Sequence, residues 1–235
     1  MRAALVLGVV LVLAPSAAAQ DVERGKTLFA GRCASCHGAT AEGVATLGPP
    51  LRGVGARAAD FYLTTGYMPL DDAHEQPRRR QSPFRPDQLQ AIVAYIASFG
   101  GPAIPQPRPD RGNLSDGLRL FTEHCSGCHQ IVGEGGVVTD AVAPPLDDST
   151  PIQIAEAVRI GPYVMPAFPE SQISNHELDS IIRYVQDAKN PEDRGGWGLG
   201  HIGPIPEGMV AWLIAGLALV GVALVIASRH KEEQQ

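Results

Sequence analysis

Apolar residues are unevenly placed along the chain. Two uninterrupted apolar runs stand near its ends, and between them apolar side chains recur at helical intervals in four short stretches set apart by Gly- and Pro-rich segments. The first run, residues 3–14, follows Arg2 and leads into Ser16-Ala17-Ala18-Ala19. A basic start, a short apolar stretch and an Ala-x-Ala ending describe a secretory signal over residues 1–19 with its cleavage site after Ala19, an uncleaved membrane anchor being the competing reading. A membrane span needs about 20 apolar residues, more than this run supplies. The second run, residues 209–227, holds no charged side chain, and as a helix it would rise about 28 Å, close to the thickness of a hydrocarbon core. It predicts a single transmembrane helix over residues 209–228. Arg229, His230 and Lys231 follow directly, while only Glu207 flanks the other side. That asymmetry makes residues 229–235 a cytoplasmic tail and puts everything before the helix outside the plasma membrane.

The four inner stretches pair off. Val22, Gly25, Leu28, Phe29 and Arg32 fall on one mainly apolar stripe, which predicts a helix over about residues 22–33. Leu89, Ile92, Val93 and Ile96, with Pro86 at the first turn, predict a second. Gly117, Leu120 and Phe121 repeat the first helix at an offset of 92 positions. Leu178, Ile181, Ile182 and Val185, behind a Ser174/Glu177 capping box, repeat the second. Between them Pro49-Pro50-Leu51 returns as Pro144-Pro145-Leu146, and Met68-Pro69 as Met165-Pro166. The same landmarks in the same order are an internal duplication. The expected domains are residues 20–101 and 113–189, joined by a Pro-rich linker at 102–112 and followed by a Gly/Pro linker at 190–208. The expected fold class is mainly α. Within each copy the paired helices are separated by long Gly/Pro-rich loops with no alternating strand pattern. Such loops are uncommon in a compact domain unless something else fills its centre.

The cysteines suggest what fills it. All four stand in two copies of one pattern, "CASCHG" from Cys33 and "CSGCHQ" from Cys125. A disulfide inside either pair would close almost no loop. A redox dithiol calls for a βαβ context that is missing here. Four thiolates could close a zinc site, yet zinc explains neither the His after each pair nor the duplication. Cys-x-x-Cys-His is the attachment pattern of c-type haem. The expectation is two covalently bound haem c groups, one on Cys33 and Cys36, the other on Cys125 and Cys128, with His37 and His129 as axial iron ligands. Of the four methionines, Met1 starts the chain and Met209 opens the second apolar run. Met68 and Met165 remain, in matching places, as the expected opposite ligands; His74, His176 and Tyr163 are competing donors. His124 reads as a surface residue. His–Met ligation closes both axial positions and raises the reduction potential. It leaves outer-sphere electron exchange, so no catalytic residue is expected. A formal net charge of −6 weighs against a nucleic-acid partner.

Each repeat resembles a class I cytochrome c domain. In that family a Gly and an aromatic of the first helix cross an aromatic of the last, roles that fall here to Gly25, Phe29 and Tyr95 and to Gly117, Phe121 and Tyr184. A proline supports the proximal histidine, matching Pro50 and Pro145. The whole order (export signal, two such domains, "GWGLGHIGPIPEGMVAW" and one C-terminal span) resembles the dihaem cytochrome c subunits of actinobacterial cytochrome bcc complexes. That resemblance implies a subunit of a respiratory quinol:cytochrome c oxidoreductase, with cytochrome b and Rieske iron–sulfur subunits as partners. It would relay electrons from the Rieske centre to a terminal haem-copper oxidase. A free-standing membrane-anchored dihaem carrier and a dihaem peroxidase-type enzyme are the competing readings. One asymmetry stands out: 27 residues separate Met68 from Tyr95, but 19 separate Met165 from Tyr184. The extra length is the charged stretch at residues 71–85, readable as a tolerated surface loop or as a contact for a partner subunit.

Overall fold

The computed structural model describes residues 17–189 and 204–232. The chain divides into two compact units, Met1–Gln186 and Asp187–Gln235. Most of the expected signal, most of the second linker and the end of the tail lie outside the described residues.

The elements fall into two matching series. The first holds α1 (Ala17–Arg32), α2 (Ala34–His37), α3 (Gly55–Thr64) and α4 (Pro86–Ala97). After a 3-10 turn at Pro109–Arg111, the second holds α5 (Leu114–His124), α6 (Ser126–His129), a hairpin of β1 (Gly136–Val138) and β2 (Ala141–Ala143), α7 (Pro151–Ile160) and α8 (Asn175–Lys189). The last helix is α9 (Pro204–Glu232).

In each series the first helix crosses the last at a glycine. A Cβ on Gly25 would strike the Ala91 carbonyl of α4, and one on Gly117 would strike the Ser180 carbonyl of α8. Only a bare Cα lets the backbones come that close. Beside each crossing an aromatic pair is locked in nearly the same pose. Phe29 and Tyr95 have ring centroids 5.3 Å apart at 56°, and Phe121 and Tyr184 have them 5.3 Å apart at 51°. Phe29, Ile92, Phe121, Ile181 and Ile182 are fully buried around these crossings, each contributing about 1.5–3 kcal/mol by leaving water. The Ser174/Glu177 capping box forms as expected: the Ser174 amide and hydroxyl both donate to Glu177 Oε2 at 2.8 Å.

The segments between the crossings are more ordered than their composition predicts. α7 starts at a second capping box, in which the Gln153 amide donates to Thr150 Oγ1 (3.2 Å) and the Thr150 amide donates to Gln153 Oε1 (3.2 Å). Pro151 sits at its first turn, and Gly161 ends it in the left-handed region at φ 65°. α3 has no side-chain cap and rests instead on the buried Phe61 and Leu63. β1 and β2 pair antiparallel over three residues each, where no strand was expected.

The Pro-rich linker is fastened at both ends. The Arg57 amide donates to the Pro102 carbonyl (3.2 Å), the Arg108 amide to Asp179 Oδ1 (2.6 Å), and Arg183 to the Gly112 carbonyl (2.7 Å). In the other unit, residues Gly208–Arg229 of α9 contain an 18-residue window with a mean hydropathy of 2.7, and the helix is long and apolar enough to cross a membrane.

Candidate cofactor sites

Both Cys-x-x-Cys-His motifs sit where a long helix breaks into a single further turn. Cys33 and Cys125 leave helical geometry at φ −124° and −121°, while their amides still donate to Phe29 and Phe121 carbonyls at 2.8 Å. The His37 and His129 amides then donate back to the Cys33 and Cys125 carbonyls at 2.9 Å, closing the turn. All four cysteines are free of disulfides. Burial, reinforced by Cys36, pushes the Cys33 thiol up to about 11, and burial reinforced by Cys128 does the same to Cys125. Thiols so raised are poor nucleophiles, which argues against a dithiol redox site. Among the described residues no three His, Cys, Asp or Glu side chains gather as a metal ion would require.

The two histidines are oriented alike. His37 Nδ1 lies 2.8 Å from the Pro49 carbonyl, and His129 Nδ1 lies 3.1 Å from the Pro144 carbonyl. A carbonyl can only accept, so Nδ1 carries the proton and Nε2 keeps its lone pair, the arrangement usual for a metal-ligating imidazole. The resemblance pointed to Pro50 and Pro145; the contact is made one residue earlier, by the carbonyl of the first proline of each pair. Burial also holds His129 below the ordinary imidazole value, which keeps it neutral.

In the second copy these groups meet at one cavity. Its empty volume is about 1170 Å³, part of it open to solvent, and Cys125, Cys128, His129 and Met165 all line it. The remaining wall is largely apolar, with Phe121, Ile154, Val158 and Phe168 among its members. Such a space suits a large flat apolar group held by thiols and capped by a lone-pair nitrogen and a thioether. Tyr163 also lines it, whereas His176 stands exposed on α8 and does not. His124 is exposed as expected, but its ring packs edge-on against Phe168 at 5.8 Å and lines the cavity. In the first copy Cys33 and Met68 pack against the same buried cluster, which contains Phe29, Leu63, Ile92 and Tyr95. His74 is exposed, its amide donating to Asp72 Oδ1.

The charged stretch at residues 71–85 turns toward its own chain. Gln76 Nε2 donates to the Val142 carbonyl (2.8 Å) and Gln76 Oε1 accepts from the Val142 amide (3.0 Å), so the side-chain amide pairs with β2 as another peptide group would. Arg79 donates to the Asp148 carbonyl, Ser149 Oγ and Gln153 Oε1 at 3.1–3.3 Å. Phe61, Tyr67, Gln76, Pro77 and Arg79 of the first copy thereby form part of the second cavity's wall. Behind them α3 packs against α7. Gln153 Nε2 donates to Thr64 Oγ1 at 3.2 Å, and the fully buried Glu156 faces Asp60. No N–H or hydroxyl donor reaches either Glu156 oxygen, which leaves the Asp60 carboxyl as its hydrogen-bond partner, and Arg57 Nε nearby is unpartnered. Burial, then repulsion from Asp60, pushes Glu156 up to about 9, so this pair keeps a proton at neutral pH. Only the extra length of the first copy hinted at this interface in the sequence.

Comparison with known proteins follows the same division. A family model described as cytochrome c matches residues 22–100, and one described as cytochrome c oxidase, cbb3-type, subunit III matches residues 112–185. The chain is 39% identical over 240 residues to the cytochrome bc1 complex cytochrome c subunit of Mycobacterium tuberculosis, covering 95% of this chain and 85% of that one. It is 35% identical over 227 residues to the subunit of the same name from Corynebacterium diphtheriae, covering 88% and 81%. A more distant relative is a cbb3-type cytochrome c oxidase subunit CcoP from Azospirillum, 28% identical over 187 residues, covering 69% and 60%.

Proposed function

The chain belongs to the cytochrome c subunits of the cytochrome bc1 complex, and from that membership we propose a dihaem relay whose two cofactors are held by equivalent residues of the two copies. Cys33 and Cys36 would hold one haem c and Cys125 and Cys128 the other, by thioethers. His37 with Met68, and His129 with Met165, would be the axial ligands. The observation that carries this reading is the convergence of Cys125, Cys128, His129 and Met165 on one apolar cavity.

A bound haem c supplies reversible one-electron exchange at its iron. The chain supplies the setting for it. The Pro49 and Pro144 carbonyls fix each imidazole in the tautomer that presents Nε2. The largely apolar wall would limit the access of water, and a haem held by a histidine together with a methionine would be given a high potential. Electrons would arrive from the Rieske centre beside cytochrome b and leave toward a terminal haem-copper oxidase. In this reading the assembled quinol:cytochrome c reductase is the enzyme, and this chain performs no substrate chemistry alone. α9 would anchor both cytochrome domains on the extracytoplasmic face, with the C-terminus in the cytoplasm.

Mass spectrometry of the protein purified from membranes tests this directly. Two haem masses are expected, one lost in a Cys33→Ala/Cys36→Ala variant and the other in Cys125→Ala/Cys128→Ala; an unmodified parent mass overturns the reading. Copurification of cytochrome b and a Rieske protein separates it from a free-standing carrier. A ferrous carbon-monoxide difference spectrum should show almost no response, where a peroxidase-type site would respond strongly.

A further inference from the structure

Among the described residues Arg79 is the only Asp, Glu, Lys or Arg side chain in the wall of the second cavity, and it comes from the first copy. Its three acceptors, the Asp148 carbonyl, Ser149 Oγ and Gln153 Oε1, are all neutral. Among the described residues no carboxylate lies within ion-pair distance of it. Three of the five guanidinium N–H groups are thus used, while the charge itself is uncompensated. Its neighbours are occupied differently. Arg80 is turned back onto its own domain, donating to the Gly66 carbonyl, the Pro69 carbonyl and Asp71. Arg78 is exposed and lines no part of the cavity.

A cation at the edge of an apolar space is costly unless what enters brings an anion. Haem carries two carboxylates and is otherwise apolar, so a single fixed guanidinium in an apolar wall both orients it and answers one of its charges. We propose that Arg79 is the anion-binding residue of the second cofactor site: it pairs with a carboxylate of the haem held by Cys125 and Cys128 and raises that haem's reduction potential. The proposal rests on the dihaem reading above. Reduction removes one positive charge from the iron, so a nearby cation favours the reduced form. At the effective dielectric of a protein interior, one charge about 10 Å away changes the balance by about tenfold. The second haem is on this account tuned by the first domain, and a change in how the domains meet would alter its potential.

The test is a spectroelectrochemical titration of the complex purified from membranes, comparing the parent with Arg79→Gln, Arg79→Lys and Arg78→Gln. The haems are assigned by Met165→His, which lowers the potential of the second alone. In Arg79→Gln the reduced-to-oxidised ratio of the second haem should fall about tenfold at fixed ambient potential, a shift of about 59 mV for a one-electron couple. The first haem and the Arg78→Gln protein should stay at parent values. An unmoved second haem, or equal shifts in both, overturns the role of Arg79. Should Arg79→Gln fail to retain its second haem, Arg79→Lys decides: it should keep the potential near the parent's while shifting the propionate bending band in resonance Raman, and an unshifted band overturns the proposal. A parent protein lacking the second haem mass would instead remove the dihaem reading itself.

Discussion

The two copies share their crossings and differ in their connections. Gly25 and Gly117, the two aromatic pairs and the two histidine–carbonyl contacts have closely matching distances and angles. What differs is where each copy has grown: the first between Met68 and α4, the second between His129 and Pro144, where the hairpin lies. These two additions meet, Gln76 of one pairing with Val142 of the other. Even the equivalent helices α3 and α7 meet face to face, with Asp60 and Glu156 each at the sixth position of its helix. The comparison teaches that the cofactor-holding core stayed fixed while divergence went into making one copy the wall of the other.

That view can be broken at several points. The largest effect should come from Cys125→Ala/Cys128→Ala: on the proposed dihaem reading this variant loses one haem mass and the filling of the second core, while the first copy's spectrum persists. Glu156→Gln comes next. Between the ordinary carboxylate value and about 9, the unfolded chain releases this proton while the folded protein keeps it. Each pH unit in that window therefore costs the parent about 1.4 kcal/mol of stability. The variant should match the parent near pH 4, exceed it on the order of 3 kcal/mol at pH 7, and exceed it most near pH 9, as read by chemical denaturation at the three values. Parallel curves at all three would mean Glu156 ionises normally and the helices do not press the acids together. Gly25→Ala and Gly117→Ala should each cost about 2 kcal/mol through the same backbone collision. Clearly unequal losses would show that the two crossings are less alike than their geometry. The smallest effect belongs to Gln76→Ala, about 1 kcal/mol, with faster hydrogen exchange at the Val142 amide.

Much of this was legible in the sequence because it depends on local spacing. The crossing helices announce themselves through apolar periodicity, and the Cys-x-x-Cys-His turns through a fixed pattern. Elimination singled out Met68 and Met165, and the structure puts Met165 on the cavity wall and Met68 against the first core. α7 could have been read as well, since Thr150, Pro151 and Gln153 spell a capping box; a Gly/Pro-rich setting hid it. α3 was harder, having no cap and owing its existence to the burial of Phe61 and Leu63. The hairpin is only three residues per strand, with Val137 and Val142 both exposed, so alternation had no room to register. The destinations of Gln76 and Arg79 were out of reach. Polar residues in a charged loop carry no sign of which surface they will meet, because that is fixed by contacts some 70 positions away.

The fastening of Gln76 to Val142 also bears on how the molecule is made. A ribosome delivers the chain from its N-terminus, and domains generally take shape in that order. The half that lends its side chains is therefore available before the half that borrows them, and the later cavity can close against a surface already in place.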